Sequence, residues 1–488
     1  MAIRRFHGSA DPRKRWGAGW LVAAFWAFGF PLVSGLETQR IWGFCAGTGY
    51  LCAAVAAFLP PRAPAGSPAG IRAGARASAW AGIRAGVGCA LAGAVVLPLL
   101  YCVLSGRAQS EVGVIERSGQ LLLHGHSPYV AHPRTVLDYD PYLPGMAAFG
   151  LPRALFGDGG PLLRLLGDAR VWCALVLLGC LGQGRRILRT PVAGETASVE
   201  GRLGYGTAFA ALVASPVVAL PLCVSGVDLP LTGLLCLALA LAARGRSTAA
   251  GLAVAAACAL KWTAWPALAV AASLLAHTAG RRAALRFAGV SVAGTLALVL
   301  PGVLCSPGAV AEQVVAFPTG RGRLATPARS LLPGRLLAES GPAGWYAAVA
   351  LLSAGALAVG ASLVVRPPSD AVAAADRLAL GLCAGFLLAP AGRFGYLALP
   401  VTLAVWTRLA GTGSRVGRAA ERRAPERGAG REAECRSGRE AEDPDAAVRP
   451  GRAVAVGPGR EVRARRAVGG HRAVGSPAGR SASRWPRR

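Results

Sequence analysis

Long, uninterrupted apolar runs dominate the chain, and short arginine-bearing polar stretches separate them. Most runs approach the roughly 20 residues that an α-helix needs to cross a bilayer. The alternating pattern of a membrane β-barrel is absent. The sequence therefore predicts an all-α integral membrane protein, a polytopic helical bundle of about twelve transmembrane helices. The predicted spans are residues 17–36, 41–60, 84–104, 162–181, 204–223, 228–243, 247–260, 263–277, 284–305, 341–365, 371–390 and 394–409.

Arginine placement sets the predicted orientation of these helices. Basic residues precede the first span and return after every second one, as at Arg185 and Arg186. By the positive-inside rule, both termini of this multi-pass cell-membrane protein face the cytoplasm, and the large loop 105–161 is extracytoplasmic. Residues 142–156 are apolar but short and interrupted by prolines. We expect them to be re-entrant, with an interfacial segment or a thirteenth span as the alternatives.

Composition agrees with a membrane protein, since 53% of the 488 residues are hydrophobic and only 16% are charged. The net charge of +29 raises the question of nucleic acid. The arginines, however, lie between apolar runs and near the C-terminus, and no nucleic-acid reading module is recognisable, so no nucleic-acid partner is expected. Eleven of the twelve cysteines fall in or beside apolar runs, and no CxxC pair occurs, so a disulfide framework is not predicted.

The chain divides into four predicted regions. Residues 1–16 form a basic cytoplasmic N-terminus, and residues 17–83 hold two transmembrane helices and a linker. Residues 84–410 form the main membrane domain, which contains the outer loop 105–161. Residues 411–488 are rich in Arg, Gly, Ala, Pro and Glu, which predicts a disordered cytoplasmic tail, solvated or in contact with anionic lipids.

The outer loop carries most of the candidate chemistry, because ionised groups are costly at membrane depth and persist where they face water or a site. Its candidate catalytic acids are Glu111, Glu116, Asp138 and Asp140. A single carboxylate suffices as a general base that takes a proton from a hydroxyl nucleophile. The alternative for each is a solvated loop acid, and turn chemistry also explains the two aspartates.

The loop histidines His124, His126 and His132 lack the i, i+4 spacing of a helical metal pair. They are more typical of hydrogen-bonding or surface residues than of metal ligands. No cofactor is therefore predicted, and a divalent ion held by the loop acids remains an unsupported alternative.

Lys261 is the single lysine of the membrane region and ends its span on the predicted outer side. An anionic lipid phosphate is a natural partner for such a cation, whereas snorkelling to the head groups is the alternative. Loop 306–340 emerges on the same side and is long enough for a lid, or is a connector. Other candidate substrate contacts are Arg117, Arg393 and Tyr396, and Asp228 also emerges on the outer side.

Four motifs follow one another along the chain. The first extends from Glu111 through Leu121-Leu-Leu-His-Gly125 to Pro128-Tyr129. The others are Tyr139-x-Pro141-Tyr-Leu-Pro144, Gly251-Leu-Ala-x4-Cys-Ala-Leu-Lys261 and Leu388-Ala-Pro-Ala-Gly-Arg-Phe-Gly-Tyr396. In order and spacing these motifs resemble those of glycosyltransferase family 87, a family of membrane enzymes, and the likeness covers roughly residues 85–410.

The resemblance implies the C-type membrane glycosyltransferase fold. It also implies transfer of a sugar, commonly mannose, from a polyprenyl-phosphate donor to a lipid-linked or polysaccharide acceptor on the outer face, with inversion. It makes Glu111 the counterpart of the family's loop acid and Lys261 a neighbour of the donor phosphate. We add His124, His126 and Tyr129 of the first motif to the substrate-binding candidates. The family usually has aspartate as its acid, after the first span, so the two extra spans here suggest an N-terminal addition.

A membrane glycosyltransferase is therefore the favoured hypothesis, with the donor lipid, a glycolipid or polysaccharide acceptor and membrane lipids as its partners. A multi-pass transporter or lipid flippase is the rival, because a many-span bundle with few buried charges suits that class too. Clustering of acids in one outer loop, without a visible inverted repeat, favours the enzyme. A third hypothesis is a non-catalytic member that scaffolds other envelope enzymes.

Overall fold

The computed structural model describes residues 11–59, 68–189 and 199–410, with side chains described from residue 79 in the second range and at 204 and 206–410 in the third. The predicted tail 411–488 lies outside the described residues, as does part of the N-terminal region. Within these ranges every regular element is helical, apart from one isolated bridge between Arg329 and Gly392. The all-α prediction is confirmed.

The helices in chain order are α1 Pro12–Val33, α2 Glu37–Phe58, α3 Pro68–Leu91, α4 Leu97–Leu104, α5 Ser110–Gly125, α6 Leu151–Phe156, α7 Pro161–Gly167, α8 Ala169–Leu188, α9 Val199–Ala214, α10 Pro216–Val224, α11 Leu229–Ala243, α12 Ser247–Leu260, α13 Pro266–Ala279, α14 Arg281–Cys305, α15 Pro307–Val310, α16 Pro333–Glu339, α17 Pro342–Val365, α18 Ala371–Leu388 and α19 at residues 398–410. A π-helical stretch, Ala92–Val96, joins α3 to α4, and short 3-10 helices occur at Val136–Asp138, Pro144–Phe149, Trp262–Ala264 and Phe394–Leu397.

In the described part of the chain, seven helices are long and apolar enough to cross a membrane: α1, α2, the continuous Ala79–Leu104 rod, α8, α14, α17 and α18. The bent pair α9–α10 makes an eighth if it is counted as one span. Helices α11, α12 and α13 and the Phe394–Ala410 segment coincide with the remaining predicted spans but are shorter. The chain is a polytopic helical membrane protein, and the figure of about twelve spans stays a prediction.

Two predicted spans have the wrong form. The sequence predicts one helix over residues 204–223, but two helices, α9 and α10, meet there at a bend of 55° at Ser215. Ser215 is extended (φ −64°, ψ 149°) because Pro216 disfavours a helical conformation in the residue before it. The expected span 162–181 is also broken, at Asp168. Its carboxylate accepts from the Arg170 backbone N–H (2.9 Å), so the long helix starts only at Ala169.

Residues 142–156 do not form a thirteenth span. They hold the 3-10 helix Pro144–Phe149 and the six-residue helix α6, each far shorter than the roughly 30 Å hydrocarbon core. Gly150 sits against α5 so closely that an added Cβ would lie 2.0 Å from the Ile115 carbonyl oxygen. The segment therefore docks on the loop helix α5.

Helix α11 forms the centre of the main hydrophobic core. Nearly every residue from Leu229 to Ala242 is buried, and the helix packs against α8, α12, α13 and α18. The N-terminal pair α1–α2 joins the same core, with Trp20 stacked on Tyr50 (ring centroids 5.6 Å apart) and the Tyr50 hydroxyl donating to the Ala214 carbonyl (2.6 Å). The predicted N-terminal addition is thus packed into the bundle.

Candidate active site

Four of the predicted site residues come together where helices begin or end. Glu111 lies in the first turn of α5, Lys261 directly follows α12, and Arg393 and Tyr396 follow α18. Helix ends leave backbone groups unpaired and place side chains at the rim of a bundle, so several segments can converge there. Tertiary packing brings these four residues together from three distant parts of the sequence.

Glu111 is paired with Arg393. The Arg393 guanidinium donates to Glu111 Oε1, and the two side chains are 34% and 16% exposed respectively. The Ser110 hydroxyl lies 3.4 Å from the second carboxylate oxygen. The carboxylate is therefore partly buried and held by a cation, yet open enough to meet a ligand.

Lys261 forms a second pair with Asp228, which immediately precedes α11. The Lys261 Nζ atom donates to Asp228 Oδ1 at 2.8 Å. The same Nζ lies 4.7 Å from the ring centroid of Tyr396 and 5.6 Å from that of Tyr142. Cation–π contacts of this kind stabilise a desolvated ammonium. The lysine is thus kept charged at 12% exposure.

Tyr396 and Tyr142 connect the two ion pairs. Burial raises the pKa of Tyr142, and the charges of Glu111 and Asp228 raise it further. Burial and the charge of Arg393 lower the pKa of Lys261, but Asp228 and Tyr396 more than offset both. Glu111, Arg393, Lys261, Asp228 and the two tyrosine rings therefore make one charged cluster, which we call the paired-charge site.

Backbone contacts fix Tyr142 in this site. The Leu143 N–H donates to the Leu260 carbonyl (3.0 Å), next to Lys261. The Tyr142 carbonyl accepts from the hydroxyl of buried Tyr129 (2.9 Å). Gly145 is also required here, because a Cβ would lie 2.8 Å from the Ala259 carbonyl oxygen. Tyr129 therefore supports Tyr142 through a hydrogen bond to its backbone.

Asp140 is buried beneath this segment. Its carboxylate accepts from the Ser118 hydroxyl (2.6 Å) and from the Tyr142 N–H (2.9 Å), while its own N–H donates to Gln313 Oε1 (3.0 Å). Burial raises its pKa to about 7, although the two donated hydrogen bonds act in the opposite direction. The contacts indicate that Asp140 ties α5 to the segment carrying Tyr142.

Glu116 points to a different neighbourhood from Glu111. It accepts from Arg153 Nε (3.2 Å) and from the Ala169 N–H (3.3 Å), beside the fully buried pair Asp168–Arg170. These groups line a polar cavity of about 280 Å³. Burial raises the pKa of Glu116, and Arg153 opposes that shift. The two glutamates of α5 thus have separate partners, as their five-residue spacing predicts.

The remaining predicted residues lie in or directly after α5 and in the turn at Asp138. Asp138 accepts from the Arg134 and Thr135 N–H groups (3.0 and 2.8 Å), which lowers its pKa and closes a turn. Arg117 donates to the Leu137 carbonyl, and its Nε is buried without a partner among the described residues. His124 and His126 are exposed at the end of α5. Substrate contact by these residues stays a prediction.

Loop 306–340 is fastened to both sides of the site. The Tyr139 hydroxyl donates to Glu312 (2.9 Å), the Tyr139 ring stacks on Phe317 with centroids 4.3 Å apart, and Gln313 donates to the Val130 carbonyl. At its far end the Ser330 N–H donates to the Gly392 carbonyl (3.0 Å), beside Arg393. The loop therefore connects the α5 segment to the α18 segment.

Metal ligands do not cluster in the described ranges. No group of three His, Cys, Asp or Glu side chains there could hold an ion. The expectation of no cofactor stays a prediction.

The sequence profile of glycosyltransferase family 87 matches residues 141–390, just over half of the chain. The chain belongs to glycosyltransferase family 87. The match begins directly before Tyr142 and includes Asp228 and Lys261, whereas Glu111 and Arg393 lie outside it. The matched segment starts later and ends earlier than the predicted domain 84–410. No curated protein and no solved structure matches the chain.

Membership in family 87 makes the protein a membrane glycosyltransferase and favours this hypothesis over the rival transporter hypothesis. The paired-charge site holds two cations, Lys261 and Arg393, and two carboxylates, Glu111 and Asp228, and their roles in sugar transfer stay predictions. The sequence pattern does not single out two members of this site. Asp228 stands out only as an outer-side acid, and Tyr142 stands out only as part of a motif. A stronger signal is present for Asp228, because it is a charged residue at the predicted outer start of the span 228–243.

Proposed function

We propose that this family 87 glycosyltransferase transfers mannose from a polyprenyl-phosphate donor to a lipid-linked or polysaccharide acceptor at the extracytoplasmic face, with inversion at the anomeric carbon. The observation that carries the proposal is the convergence of Glu111, Lys261 and Arg393 in one partly buried site. Such a donor is membrane-bound, so a site at the helix ends of a membrane bundle can accept it from the side.

The proposed reaction is a single displacement. Glu111 accepts the proton of an acceptor hydroxyl, whose oxygen attacks the anomeric carbon from the face opposite the phosphate. A carbon–oxygen bond forms to the acceptor, and the bond between the anomeric carbon and the phosphate oxygen breaks. The electron pair leaves with the phosphate, and the configuration inverts.

Lys261 and Arg393 stabilise the departing polyprenyl phosphate in this scheme. Fixed cations aimed at developing negative charge lower the barrier without reorganising during the reaction. Asp228 holds Lys261 in place, and Tyr142 and Tyr396 shield it from water. The positions of the three residues are consistent with a phosphate lying between the two ion pairs.

The Glu111–Arg393 pair has a consequence for the order of events. While Arg393 is bonded to Glu111, its guanidinium occupies the Oε1 atom of that carboxylate. The donor phosphate competes for Arg393, and its arrival leaves this oxygen open to the acceptor hydroxyl. Donor binding therefore precedes activation of the acceptor.

The test is transfer of radiolabelled mannose from polyprenyl-phosphate-mannose in membranes that contain wild type or Glu111→Gln. We expect loss of transfer by about 10²–10⁴-fold in the variant, the usual contribution of a general base. A matched control is Glu339→Gln, because Glu339 pairs with Arg335 on the surface of α16, and its transfer should equal that of wild type. Full transfer by a folded, membrane-inserted Glu111→Gln variant would exclude this residue as the base.

A further inference from the structure

A cavity of about 490 Å³ lies at one end of the α1–α2 hairpin and is lined by none of the residues of the paired-charge site. Its walls come from Pro31 of α1, the first turns of α2 and Tyr101 of α4. These elements also precede the segment that matches family 87, and the proposed transfer uses none of the residues that line the cavity.

The cavity is charged at its rim and apolar below. Glu37 and Arg40 occupy the first turn of α2, and Ile41 and Phe44 follow. At 1.5 Å per residue, Phe44 lies about 6 Å further along the helix than Arg40. Because α2 is long and apolar enough to span the membrane, its first turn lies at a membrane surface and Phe44 lies within the acyl region. Phe44 is 65% exposed.

The two charges at the rim differ in their availability. Glu37 accepts from Arg107 Nε at 2.9 Å, so its charge is neutralised. Arg40 is exposed, and its side chain has neither a carboxylate nor a hydrogen-bond partner in the described residues. A guanidinium favours bidentate contact with phosphate. The rim therefore offers one free cation to an anionic group.

We propose that this cavity binds one anionic phospholipid, with its phosphate on Arg40 and the upper part of an acyl chain along Ile41, Phe44 and Tyr101. The apolar wall below the cation sets this site apart from a site for free phosphate. A zwitterionic lipid fits less well, because its ammonium group would need a carboxylate, and Arg107 already occupies Glu37. The site is independent of the proposed glycosyl transfer.

The experiment uses the full chain in phosphatidylcholine vesicles that contain a small fraction of phosphatidylglycerol with a photoreactive group on its upper acyl chain. Crosslinks are mapped by peptide sequencing. We expect the phosphatidylglycerol probe to label the peptides of Phe44 and Tyr101 about fivefold more than an equivalent phosphatidylcholine probe, the effect of one cation at a membrane surface. Arg40→Gln should abolish this preference, and Arg40→Lys should retain most of it.

The control is Arg366→Gln, an exposed arginine at the end of α17, which should leave the labelling of Phe44 unchanged. Equal labelling by the two probes in wild type, or a preference that persists in Arg40→Gln, would overturn the proposal. Crosslinks at Phe44 to a second copy of the chain would also overturn it, because the surface would then be an interface.

Discussion

The guanidinium of Arg393 bonds to the carboxylate of Glu111 across 282 residues of sequence. Glu111 lies in the first turn of the loop helix α5, and Arg393 follows α18. The pair can form only when the whole bundle between them is packed, so the acid proposed as general base is assembled by the fold rather than by its own loop. Its neighbours Lys261 and Asp228 come from two further helix ends.

Removal of the Asp228 charge should weaken donor binding. In Asp228→Asn, Lys261 loses its 2.8 Å partner and becomes free to turn from the phosphate. We expect the KM for the polyprenyl-phosphate donor to rise about tenfold, a modest part of the cost of truncating a desolvated ion pair. Steady-state kinetics with varied donor measures this. Asp228→Glu is the control, and its KM should lie between those of wild type and Asp228→Asn. An unchanged KM in Asp228→Asn would mean that Asp228 does not position Lys261.

The stability of the protein should depend on the ionisation of Asp140. Its folded-state pKa, about 7, lies above the ordinary 3.8, so the folded state holds the proton more tightly than the unfolded state. The protonated Asp140 therefore contributes to the free energy of unfolding. This contribution is fully present below the ordinary pKa and is lost as pH rises towards about 7, at up to about 1.4 kcal/mol per pH unit.

Asp140→Asn mimics the neutral acid and should remove that dependence. Between about pH 5 and about pH 8, the Tm of wild type should fall relative to that of the variant. Thermal unfolding in detergent at the two pH values gives the comparison. A Tm difference that stays constant across this range would show that Asp140 does not titrate there.

The sequence predicts the elements of this site better than it predicts their partnerships. Apolar length locates most of the long helices, because burial in lipid constrains every span separately. Glu111, Lys261 and Arg393 stand out for a related reason, as charges at the ends of apolar runs. The pairing of Glu111 with Arg393, and not with another arginine, depends on how the bundle packs, and no local pattern records that.

The two predicted spans that are broken, 162–181 and 204–223, have local causes for the break that hydropathy does not detect. Leu162 to Leu181 is apolar enough to be read as one span, but Asp168 makes a better helix cap than a span residue. Ser215 precedes a proline, and the bend there follows from backbone sterics that a hydropathy window averages away. Both signals are visible in the sequence once caps and prolines are weighed against apolar length.

A single added methyl group at Gly150 should damage the fold. The new Cβ would lie 2.0 Å from the Ile115 carbonyl oxygen, which is backbone and cannot rotate away. We expect Gly150→Ala to lower the free energy of unfolding by about 1–3 kcal/mol or more. Gly113→Ala on α5 is the control. Nothing lies within 4 Å of its Cβ, so the variant should gain about 0.5–1 kcal/mol from the better helix former. Denaturant titration in detergent would contradict this account if the two alanines had equal effects.

The contact between Tyr139 and Glu312 should hold loop 306–340 closed. Tyr139→Phe removes the hydrogen bond to Glu312 but keeps the ring stacked on Phe317. One such bond contributes about 1 kcal/mol, so the amides near Arg323 should exchange with deuterium about fivefold faster. Hydrogen-exchange mass spectrometry measures this. Ser353→Ala on α17 serves as the control, and unchanged exchange in Tyr139→Phe would show that other contacts fix the loop.

The two glutamates of α5 should separate into a catalytic and a structural residue. Glu116→Gln leaves Arg153, itself only partly exposed, without its charged partner, and weakens the link from α5 to the start of α8 at Ala169. We expect its free energy of unfolding to fall by about 1–3 kcal/mol while the kcat of the folded protein stays near that of wild type. Glu111→Gln should show the reverse, with kcat lost and stability little changed, because its neighbour Arg393 is more exposed and can be hydrated. Tm and kcat measured on the same two preparations decide the matter: a loss of kcat in Glu116→Gln with an unchanged Tm would move the catalytic assignment to Glu116.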